Sequence, residues 1–487
     1  MDYILSIDQS TSLTKALLFN TKGTLVDRVD IPHHQFINEL GWYEHDAQEI
    51  YQNIIKAVGI VTTRHLDENS TLLCAGLSNQ RETTVAFDAT TGIPLYHAIV
   101  WQCSRAKEIC KKLEDKSDII KEKTGMNLSP YFSAAKMHWI KENVSFSGPS
   151  CNLRMGTIDA FIVYHLSGKK YFKTDYSNAC RTQLLNIDTL DWDDDLLSWF
   201  GLERYMLPQL CDSNSLFCMT DFEGVLPYPI PLHAVMGDSQ SALFAQRCTK
   251  NGMAKATYGN GSSVMMNTGN TRITSKNLVS SIGWKMGTDL TYVLEGNINF
   301  SGSTTRWLVE NLKIIKQAKD AGPLAAKARE ESTVYLVPAF TGLGSPYWHS
   351  EARAAIVGMD LSTGVEEIVR AGEEAIAYQI NDVLTLFSQA YGKKIETLRV
   401  DGGPTHDAFL MQFQSDISNC SVDIASIEEL SAEGVALVAG LAVGAIDKEI
   451  LSSYHTRQSL KPHMDKGRRK RKKDGWNHAL SMVTHTV

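Results

Sequence analysis

The sequence predicts an α/β protein of two similar domains facing a central cleft. Three observations carry this. Residues 3–20 read YILSIDQSTSLTKALLFN, which predicts buried strands at 3–7 and 16–19 around a hydroxyl-rich turn. Residues 252–267 repeat the plan: a strand over 252–258, the small-residue turn Gly259-Asn260-Gly261-Ser262-Ser263, and a strand over 264–267. Beyond both starts, strands alternate with helices, the pattern of an α/β fold. The echo is architectural, with no residue-level repeat. It puts the join near 245–252 and gives domains over 1–247 and 248–487.

After the opening hairpin, 24–31 reads as a third strand. A helix follows over 46–65, with Asp46 as its cap, because a carboxylate there accepts from the free N–H groups of the first turn. Buried strands are expected at 72–78 and 84–88, and helices at 104–113, 134–143, 157–166 and 194–200, the last stopped by Gly201. In the second half, 292–295, 333–337 and 397–400 read as strands and 302–312, 365–386 and 430–443 as helices. The Gly/Pro-rich, aromatic stretch 337–348 reads as an ordered loop.

The 487 residues have room for roughly two to four domains. A hydrophobic content of 43% with 21% charged residues is that of an ordinary globular protein. The nine cysteines form no CxxC pair and are odd in number, which suits a reducing compartment. The N-terminus lacks a basic segment followed by an apolar one, and no apolar run reaches the length of a membrane span. These features predict a cytoplasmic protein without membrane insertion. Net charge is −7, yet residues 466–473 (KGRRKRKK) carry seven basic side chains. No aromatic residues interleave that run and the rest of the chain is acidic, so a solvated surface segment is expected, and no nucleic-acid partner.

Several motifs can carry chemistry, each with a plainer structural alternative. Ser10, Thr11, Ser12 and Thr14 offer hydroxyls and turn N–H groups, with Lys15 beside them. That is either an anion nest for phosphate or a solvated hairpin turn. Asp8, at the end of the first strand, could hold Mg²⁺ through water. Arg81 and Glu82 set a fork of donors beside an acceptor pair, fit for vicinal hydroxyls or simply an ion pair. Trp101 and Tyr131 could stack on the C–H face of a polyol or belong to the core. Asp238 is either the N-cap of a helix or a base for an attacking alcohol. Gly402 and Gly403 would let a flat ligand approach the backbone. Two domains with one such turn each suit a kinase, since a closing cleft excludes water before transfer.

The stretches DQSTS (8–12), GWYEHD (41–46), SNQRETT (78–84), AIVWQC (98–103), PYFS (130–133), TDYSNACRT (174–182), DWDDDLL (191–197), GDSQSALF (237–244), GMAKATYGNG (252–261), VPAFTGLGSPYW (337–348) and LRVDGG (398–403) together resemble the FGGY carbohydrate kinases, over nearly the whole chain. The resemblance implies two ribonuclease-H-like domains of the actin-like ATPase fold, the first for polyol and phosphates and the second for nucleotide. It implies ATP with Mg²⁺, a small polyol or sugar as substrate, and a homo-oligomer, dimer or tetramer. The likeness is greatest to members that phosphorylate glycerol, which implies glycerol 3-phosphate as product. A longer polyol or ketose (erythritol, xylitol, xylulose) is the alternative acceptor. Carried over by position, Thr11, Ser12, Leu13 and Lys15 line the phosphates. Arg81, Glu82, Trp101, Tyr131 and Asp238 contact the polyol, with Asp238 as base. Asn260, Gly302, Arg306, Gly403 and Asp407 contact the nucleotide, and Asp8 takes the metal side.

The chain also departs from the family pattern. Ser10 and Ser12 replace a glycine and a threonine, Lys15 replaces an arginine and so loses its planar fork. Asn260, Arg306 and Asp407 stand where threonine, glutamine and asparagine are usual. Ser239 stands for a glutamine and Ser263 for a phenylalanine, both at polyol-contacting positions. These two changes suggest a pocket relaxed towards a longer chain, unless a neighbour such as Gln240 refills it. Segments 220–232 and 213–221 lack the Gly-rich basic loop and the histidine through which some members are regulated, so neither control is expected. An actin-like ATPase that moves rather than phosphorylates is argued against by the intact Arg81, Glu82 and Asp238 set. A non-catalytic sugar sensor using the basic run is the third class.

Overall fold

The computed structural model describes residues 1–484. They form two compact units. The first comprises Met1–Arg247, Ser280–Tyr292 and Glu429–Ser453, the second Cys248–Val279, Val293–Glu428 and Tyr454 onward.

The first unit is built on a sheet ordered Cys218–Thr220, Ile230–Gly237, Thr71–Asn79, Asp2–Gln9, Leu13–Asn20, Leu25–Pro32. Asp2–Gln9 is buried from Tyr3 to Gln9, as a central strand covered on both faces must be. It runs parallel to Thr71–Asn79, which runs parallel to Ile230–Gly237. Register brings the three carboxyl ends level, with Gln9 and Gly237 both opposite Asn79. Helix Ala47–His65 buries Ile50, Ile54, Ala57, Val58 and Val61 at helical spacing, and Asp46 caps it by accepting from Gln48 and Glu49. Helix Leu430–Ala442 packs against the same sheet and against helix Asp238–Ala245. Both approaches depend on glycine. A Cβ on Gly76 would stand 2.6 Å from the Val435 carbonyl oxygen, and one on Gly434 2.0 Å from that of Ser241.

The units therefore differ from the contiguous halves 1–247 and 248–487 expected from the sequence. Two segments of the second half belong to the first unit. Helix Leu430–Ala442 is apolar almost all round, so its pattern demands burial without saying against which sheet.

The second unit's sheet includes, as successive neighbours, Ser262–Gly269, Ala254–Tyr258, Thr397–Asp401, Ser421–Ala425 and Thr456–Leu460. An antiparallel hairpin followed by parallel neighbours repeats the plan of the first unit. Helices Val365–Tyr391, Ala408–Ser418 and Gly302–Glu310 belong to this unit.

Most expected elements form with shifted ends. The 365–386 helix continues to Tyr391 and stops at Gly392 in a left-handed conformation (φ 75°). Helix Ser117–Thr124 and strands Leu153–Thr157 and Ser421–Ala425 escaped the sequence reading. The first buries only Ile120 and Thr124, too few to show a period, and the strands are short.

One residue of the basic run, Lys472, departs from the expected solvated segment. Residues 466–473 begin helix Lys466–Thr484, whose buried face is Lys472, Trp476, Ala479 and Val483. Lys472 Nζ lies 2.9 Å from both carboxylate oxygens of Glu374, which also accepts from Arg370 Nε at 2.8 Å. Trp476 stacks on Tyr378 at 5.1 Å and donates to Asp382. Helical spacing turns one lysine of a charged run inwards with the apolar residues that follow. Among the described residues, no helix is long and apolar enough to cross a membrane.

Candidate active site

Because the three parallel strands of the first unit end level, their following residues share one rim of the sheet. Ligands of open α/β sheets bind outside such carboxyl ends. Asp8 is the penultimate residue of the first strand, Gln80 to Thr83 follow the second, and Asp238 follows the third.

Arg81 and Glu82 are almost fully buried, at 5% and 2% exposure. Arg81 Nε lies 3.4 Å from Asp238 Oδ1 and 3.9 Å from Glu82 Oε1, and its NH1 donates to Gln240 Oε1 at 3.3 Å. Glu82 sits in the left-handed region (φ 62°), uncommon for a residue with a side chain and a mark of functional turns. The Asp238 side chain keeps 35% exposure and so opens outward from this buried pair. Its Oδ1 accepts from the Ser239 N–H at 2.6 Å and from the Ser239 hydroxyl at 3.2 Å.

Trp101 follows strand Ala98–Ile99, and its indole N–H donates to Thr11 Oγ1 at 3.0 Å. Its ring lies 5.5 Å from that of Tyr131. Fully buried Lys136 holds the loop carrying Tyr131. Its ammonium donates to the carbonyls of Pro130 at 2.8 Å, Phe132 at 3.3 Å and Tyr131. Burial pushes the Lys136 pKa down to about 7, against the pull of the Glu82 charge.

In the hairpin, the Ser10 N–H and hydroxyl both donate to the Leu13 carbonyl, which closes the turn beneath Thr11 and Ser12. Lys15 lies opposite Asp8 in register, 3.5 Å from its carboxylate. It lies nearer to Glu429, at 2.5 Å, which also pairs with Arg28. The acidic partner from residue 429 was not anticipated, since more than four hundred positions separate it from Lys15. Burial pushes Asp8 up to about 6, opposed by Lys15 and reinforced by Glu429 and Asp238. Its Oδ1 is buried without a hydrogen-bond partner among the described residues. An orphaned carboxylate oxygen fits Mg²⁺, which takes one or two carboxylates and completes its shell with water and phosphate. No cluster of three or more His, Cys, Asp or Glu stands ready for a metal among the described residues, so Asp8 would be a single anchor.

Sequence reasoning missed the groups that support this rim. Arg181 Nε donates to Glu82 Oε1 at 2.6 Å. Asp175, also buried, accepts from Ser177, Asn178 and Ser213. Ser177 in turn accepts from the Gly237 N–H at 2.9 Å, and Asn178 exchanges hydrogen bonds with Asn79. One buried network thus ties two strand ends together. The TDYSNACRT stretch that contains it was visible only as a likeness.

The remaining expected residues lie in the second unit. Asn260 accepts through its side chain from Arg306 NH2 at 2.8 Å and through its carbonyl from the Ser301 and Ser303 N–H groups. The Gly302 N–H donates to the Gly259 carbonyl, and a Cβ there would stand 2.7 Å from that oxygen. Gly402 rather than Gly403 meets the steric demand. Its φ is 97° and a Cβ would stand 2.0 Å from the Tyr258 carbonyl, while at Gly403 no atom lies within 4 Å. Asp407 caps helix Ala408–Ser418 by accepting from the Leu410 N–H. Ser263 lies on strand Ser262–Gly269 opposite Thr257, its hydroxyl buried without a partner among the described residues.

Comparison with known proteins shows the family. The model of the FGGY family of carbohydrate kinases, N-terminal domain, matches residues 3–245, and that of the C-terminal domain residues 254–443. Glycerol kinase 1 of Thermotoga maritima is 41% identical, over 98% of this chain and 99% of its own. The crystal structure of Plasmodium falciparum glycerol kinase with ADP superposes with a TM-score of 0.93 at 34% identity, covering 100% of this chain and 99% of that one. Ligand-bound xylulose kinase from Lactobacillus acidophilus reaches 0.89 at 20% identity over 99% and 98%, a likeness of fold alone.

Proposed function

Because the chain belongs to the FGGY family of carbohydrate kinases, we propose that it phosphorylates a primary hydroxyl of glycerol with ATP. The products are glycerol 3-phosphate and ADP. The observation that carries this is the Arg81, Glu82 and Asp238 constellation on one sheet rim. Arg81 donates to one substrate oxygen and Glu82 accepts from a neighbouring hydroxyl. Trp101 and Tyr131 cover the carbon chain. Asp238 accepts the proton of the attacking hydroxyl as the phosphoryl group moves. Thr11, Ser12, Leu13 and Lys15 receive the phosphates, and Lys15 exchanges part of its pairing with Glu429 for them. Asp8 would hold Mg²⁺, which would neutralise phosphate charge when bound. Asn260, Gly302, Arg306, Gly403 and Asp407 hold the nucleotide. The free state of all nine cysteines supports a cytoplasmic location, and family membership supports a homo-oligomer.

One observation favours a second reading, a longer polyol or ketose. Ser239 is small and turned onto Asp238, and the Gln240 amide is engaged with Arg81, the Ser177 carbonyl and the Ile282 carbonyl, so it does not refill the space. An ADP-release assay with glycerol, erythritol, xylitol and xylulose decides between them. Glycerol is expected to show the highest kcat/KM, and any other acceptor above it overturns the assignment.

A further inference from the structure

Glu82 occupies an awkward place for a substrate contact. It is buried and its backbone is left-handed. Its carbonyl is anchored by the hydroxyls of Ser133 and Thr84, at 3.0 and 3.1 Å. The carboxylate needs a separate anchor, and Arg81 is poorly placed to be one. Arg81 Nε is 3.9 Å from Glu82 but 3.4 Å from Asp238, and its NH1 is engaged with Gln240.

We propose that Arg181 is the positioning residue for Glu82, holding its carboxylate from behind while Arg81 faces Asp238 and Gln240. Arg181 has no exposed surface, and its Nε donates to Glu82 Oε1 at 2.6 Å. Its guanidinium lies 5.2 Å from the centre of the Phe132 ring, a face that favours a cation. The neighbouring Cys180 is fixed against Ile282, and Asp175 caps the short helix that precedes it. The arrangement is two buried guanidinium groups for two carboxylates. Remove the rear one and Arg81 becomes the nearest cation to Glu82, drawn away from Asp238.

The proposal rests on the reading of Glu82 as a polyol contact. It is tested by steady-state kinetics on Arg181→Lys, Arg181→Ala, Glu82→Gln and the double variant Arg181→Lys/Glu82→Gln, using the acceptor that the wild type turns over best. Arg181→Lys keeps the charge but loses the rigid fork, and should raise the acceptor KM about tenfold, with the ATP KM within about twofold. Arg181→Ala should be worse, and added guanidinium ion should restore part of its acceptor KM. The double variant should be no worse than Glu82→Gln alone, because Arg181 acts through Glu82. Additive losses, or a lower kcat at unchanged acceptor KM in Arg181→Lys, would mean a merely structural role and overturn the proposal. Should Arg181→Ala fail to fold, the lysine variant and the cycle still decide. A wild type that phosphorylates no polyol refutes the kinase reading itself, and this proposal falls with it.

Discussion

Glu373 gives the sharpest quantitative test of the buried electrostatics. It lies on helix Val365–Tyr391 in the second unit, 2% exposed, with one oxygen accepting from Thr305 Oγ1 at 2.8 Å. Burial, reinforced by the charge of Asp407, pushes its pKa from 4.5 up to about 8. At neutral pH the folded protein therefore holds a proton there that the unfolded chain releases. The folded state binds more protons between the two values, so stability falls as pH rises through that window. Glu373→Gln copies the protonated carboxyl in shape and keeps an acceptor for Thr305. It removes the cost of protonation, about 3 kcal/mol at pH 7 at about 1.4 kcal/mol per pKa unit. The gap should be under about 1 kcal/mol at pH 5 and level off near about 5 kcal/mol above pH 8. Urea unfolding of wild type and variant at pH 5, 7 and 9 measures it, and the ATP KM should stay within about twofold, since Thr305 remains bonded. A variant no more stable than wild type at pH 7, or a gap that does not widen with pH, would refute the reasoning. Asp407→Asn should recover a smaller part of the same stability by removing one of the two causes.

Asp238→Asn should lower kcat by about 10²–10⁴ while acceptor binding measured by calorimetry changes little; near-full turnover would remove Asp238 as the base. Trp101→Phe keeps the ring but loses the bond to Thr11, and should cost about 0.5–1.5 kcal/mol in kcat/KM, read in the same ADP-release assay. Lys472→Met should destabilise the second unit, towards the lower end of about 3–5 kcal/mol because Arg370 still pairs with Glu374, and thermal unfolding would show it. A variant as stable as wild type would mean that the buried pair is worth no more than the methionine that replaces it.

Local order was legible along the chain. The apolar runs flanking DQSTS, the echo near 252 and the cap at Asp46 each depend on neighbours a few positions apart, and the corresponding elements formed. Lys472 was misread for the converse reason. A charged run looks solvated until helical spacing and a distant Glu374 give one of its lysines a buried partner. Of the candidate site, the polar motifs themselves could be read, because Asp8, Arg81 and Glu82 stand at predicted strand ends and Asp238 follows an apolar run. Their partners could not. Arg181 reaches Glu82 across 99 positions, and Glu429 reaches Lys15 across 414.

By itself the sequence determined the α/β pattern, the strand-end carboxylates and the likeness to carbohydrate kinases, all carried by short-range periodicity or contiguous motifs. Tertiary structure alone decided that residues 429–453 join the first unit and which cation serves which carboxylate. It also decided that Gly402, and not Gly403, is the glycine the backbone requires. Those outcomes depend on which surfaces pack in space, and neither burial nor ion pairing over hundreds of residues leaves a local mark on the chain.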